Sequence, residues 1–223
     1  MTNNLKKLIS FASLMALSLQ LHAINYYISP TGNDNNAGTR EDAPLASLTT
    51  VQKKVKAGDK VYILPGTYQV KENEMMDKTS SKVWDIIFDF ATSGTADSPI
   101  IYKGVQDAQG NRPVFDLSAI NTGKRLTGFY IRAKYLEFSN FEVIGINVPK
   151  SSSNTQSENI RINGGSYCRF YNIAAHDGMG IGFYLTGRSA HNIISHCDAY
   201  NNFDSVNISV NNGGNSDGFG CHV

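Results

Sequence analysis

The sequence predicts an all-β protein, a right-handed parallel β-helix (solenoid) with a short helical cap at its N-terminal end. Three observations predict it. Short β-prone runs recur along most of the 223 residues, several of them superpose at intervals of 24 to 38 residues, and an amphipathic segment sits near the start. Composition agrees: only 17% of residues are charged and there are 20 Gly, a balance in which turns carry the polarity.

The first stretch, Met1 to Ala23, has Lys6 and Lys7, an apolar run from Leu8 to Leu21 and a small residue, Ala23, where a leader peptidase would read. That order is a secretory signal peptide. The run is interrupted by Ser10, Ser13, Ser18 and Gln20 and is shorter than the roughly 20 residues of a membrane span, so export to the periplasm or the medium is expected rather than anchoring. Removing the leader takes away two Lys and no acid, leaving 18 basic against 19 acidic residues. A nearly neutral chain without a basic run lacks the footprint of a nucleic-acid or anionic-membrane binder, and a monomer is expected.

One β-helix domain is expected over residues 24–223. After the strand "YYIS" and the turn "GNDNN", the piece Leu45 to Lys56 places Leu45, Leu48, Val51 and Val55 on one face of a predicted helix, stopped by Gly58-Asp59. "KVYILPGTY" then reads as a strand ended by Pro65-Gly66. This block resembles the opening of many secreted right-handed parallel β-helix proteins, in which the helix covers the open end of the first coil.

Beyond it, "PIIYKGV", "RPVFDLS", "GFYIRAKYLEFSNFEVIGINV", "NIRINGGSYCRFYNI", "GIGFYLTG", "HNIISHCDAY" and "GFGCHV" read as rungs. Superposition sets Phe138, Asn140 and Phe141 on Phe170, Asn172 and Ile173, and these on Ile194, His196 and Cys197. It also lays Ile181, Phe183 and Leu185 on Phe219, Cys221 and Val223. Loops such as "PKSSSNTQSEN" and "SVNISVNNGGN" are inserted in some copies, and insertions on one face of a repeat protein often build its binding face.

The C-terminal third carries the most specific pattern: "HDGMGIGFYLTG", then "CDAYNNFD" (Cys197 to Asp204), a Gly-rich loop, and "NSDGFGCHV" (Asn215 to Val223). It resembles polysaccharide lyase family 9, the β-helix pectate and rhamnogalacturonan lyases. The resemblance implies a calcium-dependent (Ca2+) lyase acting on an acidic plant cell-wall polysaccharide, homogalacturonan or rhamnogalacturonan I. Calcium held by Asp oxygens would draw charge toward the substrate carboxylate, a base would remove the C5 proton, and the O4 substituent would leave by β-elimination. It makes Asp217 one calcium ligand. It places the other Asp ligands in an Asp-Asp-Gly-x-Asp run, and the Lys base on a later coil, both expected beyond Val223. The chain is therefore expected to be an incomplete, inactive portion with no catalytic base of its own. The alternative is a non-catalytic secreted β-helix that binds glycan or serves as a surface module. A hydrolase needs paired carboxylates, and the aligned rungs show no close Asp pair.

Other reactive residues read as structural. An Asp before Gly is an ordinary turn former, and a lone carboxylate holds calcium poorly. Asp198 and Asp204 read as turn residues, and His196, aligned with Asn140 and Asn172, as a stacked turn position. His176-Asp177 could be read as a base and its orienter, but neighbours on a strand point to opposite faces, so a turn is the simpler reading. His222 should point outward, and Cys168, Cys197 and Cys221 read as buried free thiols.

Overall fold

A computed structural model of the chain describes residues 22–78, 84–149, 156–206 and 216–222. The predicted leader, Met1 to Ala23, lies outside the described residues except for its last two. No helix among the described residues is long and apolar enough to cross a membrane.

The solenoid has two faces. A nine-stranded sheet runs β1 (Asn25–Ile28), β2 (Lys60–Ile63), β5 (Ile100–Gly104), β8 (Leu136–Ile144), β10 (Arg169–His176), β12 (Ile193–Ser195), with β3 (Thr67–Gln69), β6 (Val114–Asp116) and β13 (Asp198–Tyr200) alongside. A five-stranded sheet runs β4 (Trp84–Phe90), β7 (Arg125–Ile131), β9 (Glu158–Asn163), β11 (Ile181–Thr186), β14 (Phe219–Cys221). Every strand pairing is parallel, as a coil that returns to the same face requires. Of these strands, the seven residues of β4, "WDIIFDF", escape the sequence reading.

The cap is present but shorter than predicted. Its helix, α1, spans only Leu48–Gln52, because Leu45 instead bridges Ile28 in the first coil. The expected face is still buried: Leu45, Leu48, Val51 and Val55 all lie in the core. Ser47 caps α1 by accepting the Thr50 N–H at 3.1 Å, and Asp34 accepts the Ser47 hydroxyl at 2.7 Å and the N–H groups of Ala46 and Ser47. Thus "GNDNN" is the clamp on the helix start. At the other end Asp59 accepts the N–H of Ile24 and of Lys56, both at 2.8 Å, joining the helix exit to β1.

Corners are made by left-handed residues, within β8 and β10 and between β12 and β13. Asn140, Asn172 and His196 have φ of 60°, 52° and 54°, and Asn172 Nδ2 donates to Asn140 Oδ1 at 2.9 Å. Asn tolerates this conformation because its short polar side chain bonds locally. The superposition of these three residues is correct, as is Phe138 on Phe170 on Ile194. The last rung is shifted by two residues from the predicted alignment. Phe183, not Ile181, lies opposite Phe219, with rings stacked at 5.0 Å and 6°. A two-residue slip keeps side chains on the same face, so alternation could not reveal it, and ring stacking decides it.

Inside, aromatic rings run along the axis: Tyr102 on Phe138 on Phe170, each step 5.1 Å, and Phe90 on Phe129 on Phe141, each 5.4 Å. Phe129 also meets Phe88 and Phe115 edge-on. The three thiols are free, but only Cys168 is fully buried; Cys197 is half-buried and Cys221 exposed, since β14 edges its sheet.

Phe129→Ala is expected to cost about 3–5 kcal/mol, because a fully buried ring leaves a cavity. Phe219→Ala, at a ring 51% exposed, should cost only about 1 kcal/mol. Urea unfolding followed by circular dichroism measures both.

Candidate active site at the entry to the last strand

Asp217 stands exposed one residue before Gly218, where the chain enters β14. Its carbonyl accepts the Gly182 N–H at 2.9 Å, and the Gly218 carbonyl accepts that of Phe183 at 2.9 Å. These bonds seat the "SDGFGC" segment on β11. The fit needs Gly182: a Cβ there would lie 2.6 Å from both the Gly218 carbonyl and the Ala199 Cβ. The register carried back two residues sets Asp217 beside Ile181, which pairs with Glu158 one coil below.

Glu158 is buried and fully engaged. One oxygen meets Arg125 at 3.1 Å and Arg161 at 2.9 Å, and the other accepts the Thr127 hydroxyl at 3.0 Å. The Arg161 guanidinium lies over the rings of Trp84, at 5.4 Å, and Tyr184, at 5.1 Å. Cationic and aromatic groups therefore gather around Glu158 on the five-stranded sheet.

Asp204 and Asp198 do not join Asp217 as ligands. Asp204 is buried and makes the turn expected of it, its Oδ1 accepting the Val206 N–H at 3.0 Å, while its own N–H donates to Ser216 Oγ at 3.0 Å. Asp198 begins β13, exposed. His222 is exposed as expected, edge-on to Tyr184. Calcium takes 6–8 oxygens, and among the described residues no three His, Cys, Asp or Glu side chains gather as a metal site. The described residues alone thus do not fit a calcium ion.

The turn expected at His176-Asp177 is present, and it brings the two side chains together. Asp177 has φ 51°, which ends the strand and swings its carboxylate back, so that Oδ2 lies 2.7 Å from His176 Nδ1. Glu142 Oε2 lies 3.2 Å from His176 Nε2, and Glu142 Oε1 meets Arg112 at 2.7 Å. Arg112 in turn donates to Asn172 Oδ1 at 3.2 Å. The Tyr200 ring covers His176 at 4.4 Å. With both ring nitrogens engaged and the face covered, His176 ties coils together and is not open to substrate. Sequence reading missed this network because its members are scattered from Arg112 to Tyr200, and only the register unites them.

A two-sheet parallel solenoid with a capped first coil, and an Asp-Gly-Phe turn feeding its last strand, defines the class: a parallel β-helix. Residues 26–223 match the family described as Pel9A-like, right handed beta helix region, and the chain belongs to it. Its relatives include Pectate lyase L of Dickeya dadantii (strain 3937), 28% identical over 87% of this chain and 40% of that protein. Pectate lyase PEL9 of Emericella nidulans is also 28% identical, over 95% of this chain and 46% of its own length. Among solved structures, one titled rhamnogalacturonan lyase superposes with a TM-score of 0.81 and 43% identity, covering 90% of this chain and 47% of that one. The crystal structure of pectate lyase Pel9A does so with a TM-score of 0.61 and 25% identity, over 81% of this chain and 40% of that one. The chain spans less than half the length of each of these relatives.

Glu142→Gln should destabilise the fold by about 1–3 kcal/mol, since it leaves Arg112 and His176 without their charged partner; thermal unfolding at neutral pH checks it. The hydrogen bond from His176, helped by Asn201, holds the Asp177 carboxyl below its usual range. A depressed carboxyl stabilises above the unfolded value, near ~3.9, and that stability is lost as pH falls through the folded value. Asp177→Asn is therefore expected to flatten the acid decline of the melting temperature below about pH 4.

Proposed function

We propose that this chain is part of a secreted polysaccharide lyase that cleaves a uronate-bearing pectic polysaccharide by β-elimination, with Asp217 contributing one carboxylate to a calcium site. The observation that carries the reading is membership of the Pel9A-like family, with 43% identity to the rhamnogalacturonan lyase structure across 90% of the chain. That identity makes rhamnogalacturonan I the first substrate to test, with homogalacturonan second. The remaining calcium ligands and the base are assigned to residues outside those described, and export to the Met1–Ala23 leader.

A non-catalytic glycan-binding module is the second reading, favoured by the lack of a carboxylate cluster among the described residues. The 223-residue chain, incubated with either polymer and calcium, is expected to give no rise in ultraviolet absorbance from unsaturated product. Robust turnover would place the base among residues 24–223. Within a polypeptide of the relatives' full length, Asp217→Asn is expected to remove most activity at low calcium and to recover in part at high calcium, because Asn keeps the shape and one oxygen but loses the charge. Asp204→Asn should leave the calcium dependence unchanged. If Asp217→Asn shows wild-type calcium dependence, Asp217 is a turn residue only; if the full-length protein never releases unsaturated product, the binding-module reading replaces the lyase.

A further inference from the structure

The outward face of the nine-stranded sheet lies on a different sheet from Asp217, and nothing in the lyase reading uses it. Two columns of side chains cross it. The first runs Asn25, Lys60, Ile101, Glu137, Arg169, Ile193; the second runs Tyr27, Tyr62, Lys103, Ser139, Tyr171, Ser195. In the second column Tyr27 and Tyr62 stack at 5.2 Å, but the column of rings is then broken by Lys103 and Ser139 before Tyr171 restores it.

Strands repeat roughly every 4.8 Å, so Tyr62 and Tyr171 stand about 14 Å apart across the break. They line one depression of about 420 Å³, together with Lys60, Lys103, Ile101 and Ser139. A second depression of about 360 Å³ adjoins it and shares Ile101, Glu137, Ser139 and Tyr171. Tyr171 is 50% exposed, far more than packing alone requires. Tyr62 is stacked on Tyr27 and Tyr171 meets His196 at 5.0 Å, so each ring is held from the side away from the notch. Aromatic rings beside a polar rim suit a sugar ring, which is apolar on its faces and polar at its edge.

Charge on this face selects the sugar. Arg169 and Glu137 lie 4.0 Å apart and offset each other. Lys60 and Lys103 are exposed, and among the described residues neither forms a salt bridge. Lys103, between the two tyrosines, and Lys60, on the same strand as Tyr62, fit a chain that carries carboxylates.

We propose that the notch between Tyr62 and Tyr171 is a second, non-catalytic binding site for an anionic, uronate-bearing glycan. The choice of glycan rests on the pectic reading above, whereas the site itself is independent of calcium and of Asp217. It would hold the polymer on one side of the solenoid while another stretch is presented at the five-stranded sheet.

Affinity electrophoresis of the 223-residue chain in gels containing polygalacturonate, rhamnogalacturonan I or neutral galactan, all with EDTA, tests this. Retardation is expected in the two acidic gels and not in galactan, and it should weaken as salt is raised. Tyr171→Ala should weaken binding about tenfold. Lys103→Gln should weaken it about threefold. Asp217→Asn should leave it unchanged. All three positions are exposed, and circular dichroism confirms that the variants are folded. The site is refuted if the chain passes all three gels alike, if galactan retards it equally, or if folded Tyr171→Ala and Lys103→Gln bind as wild type. Because EDTA and Asp217→Asn remove any contribution of a calcium site, a failed lyase assay leaves this outcome intact, and the reverse holds too.

Discussion

Everything in this molecule depends on where each coil turns its corner. Asn140, Asn172 and His196 hold left-handed backbone at the same point of three successive coils, and the column Gly145, Asp177 and Asn201 does the same at the next bend. A residue inserted before one of these corners would turn every later side chain of that strand to the opposite face. Corners therefore act as the ruler of the structure, and length variation is confined to connections that lie elsewhere. Aromatic stacking then has a fixed lattice on which to build, which is why rings one coil apart lie near 5 Å and nearly parallel from Tyr102 to Phe170.

The same ruler assembles polar groups that no local pattern unites. Arg112, Glu142 and His176 come from three coils, yet the pairing of β6 with β8 and of β8 with β10 brings them into one network. Asp177 can serve His176 only because it occupies a corner. Had it continued the strand, its carboxylate would have faced away, as simple alternation implies. The corner that ends β10 thus also buries its last side chain under Tyr200.

Fold class, the helical cap and most rungs were legible in the sequence because they follow from local alternation and from repeats in which like residues superpose. Phe138, Phe170 and Ile194 are such a set. Two kinds of feature were not legible. Strand β4 has no superposable partner motif, since its neighbour β7 carries a different sequence, and the rung at Phe219 slips by two without breaking alternation. The position of Asp217 at a strand entry was readable from Asp-Gly-Phe; its surroundings were not, because they are made by Gly182 and Ala199 from earlier coils. The bare notch beside Tyr171 was invisible for the same reason, being a gap between residues 32 and more positions apart.

Asp34 and Asp59 clamp the two ends of the capping segment onto β1, and every later coil pairs its strands with those of the coil before it. In a stack of this kind assembly has a direction. Among the described residues the first coil has its outer side closed by its own helix, and each coil offers the next a ready template of strands and ring faces. Damage near the cap would then be passed to the coils stacked on it, while the same damage at Phe183 would leave the first coils their own contacts.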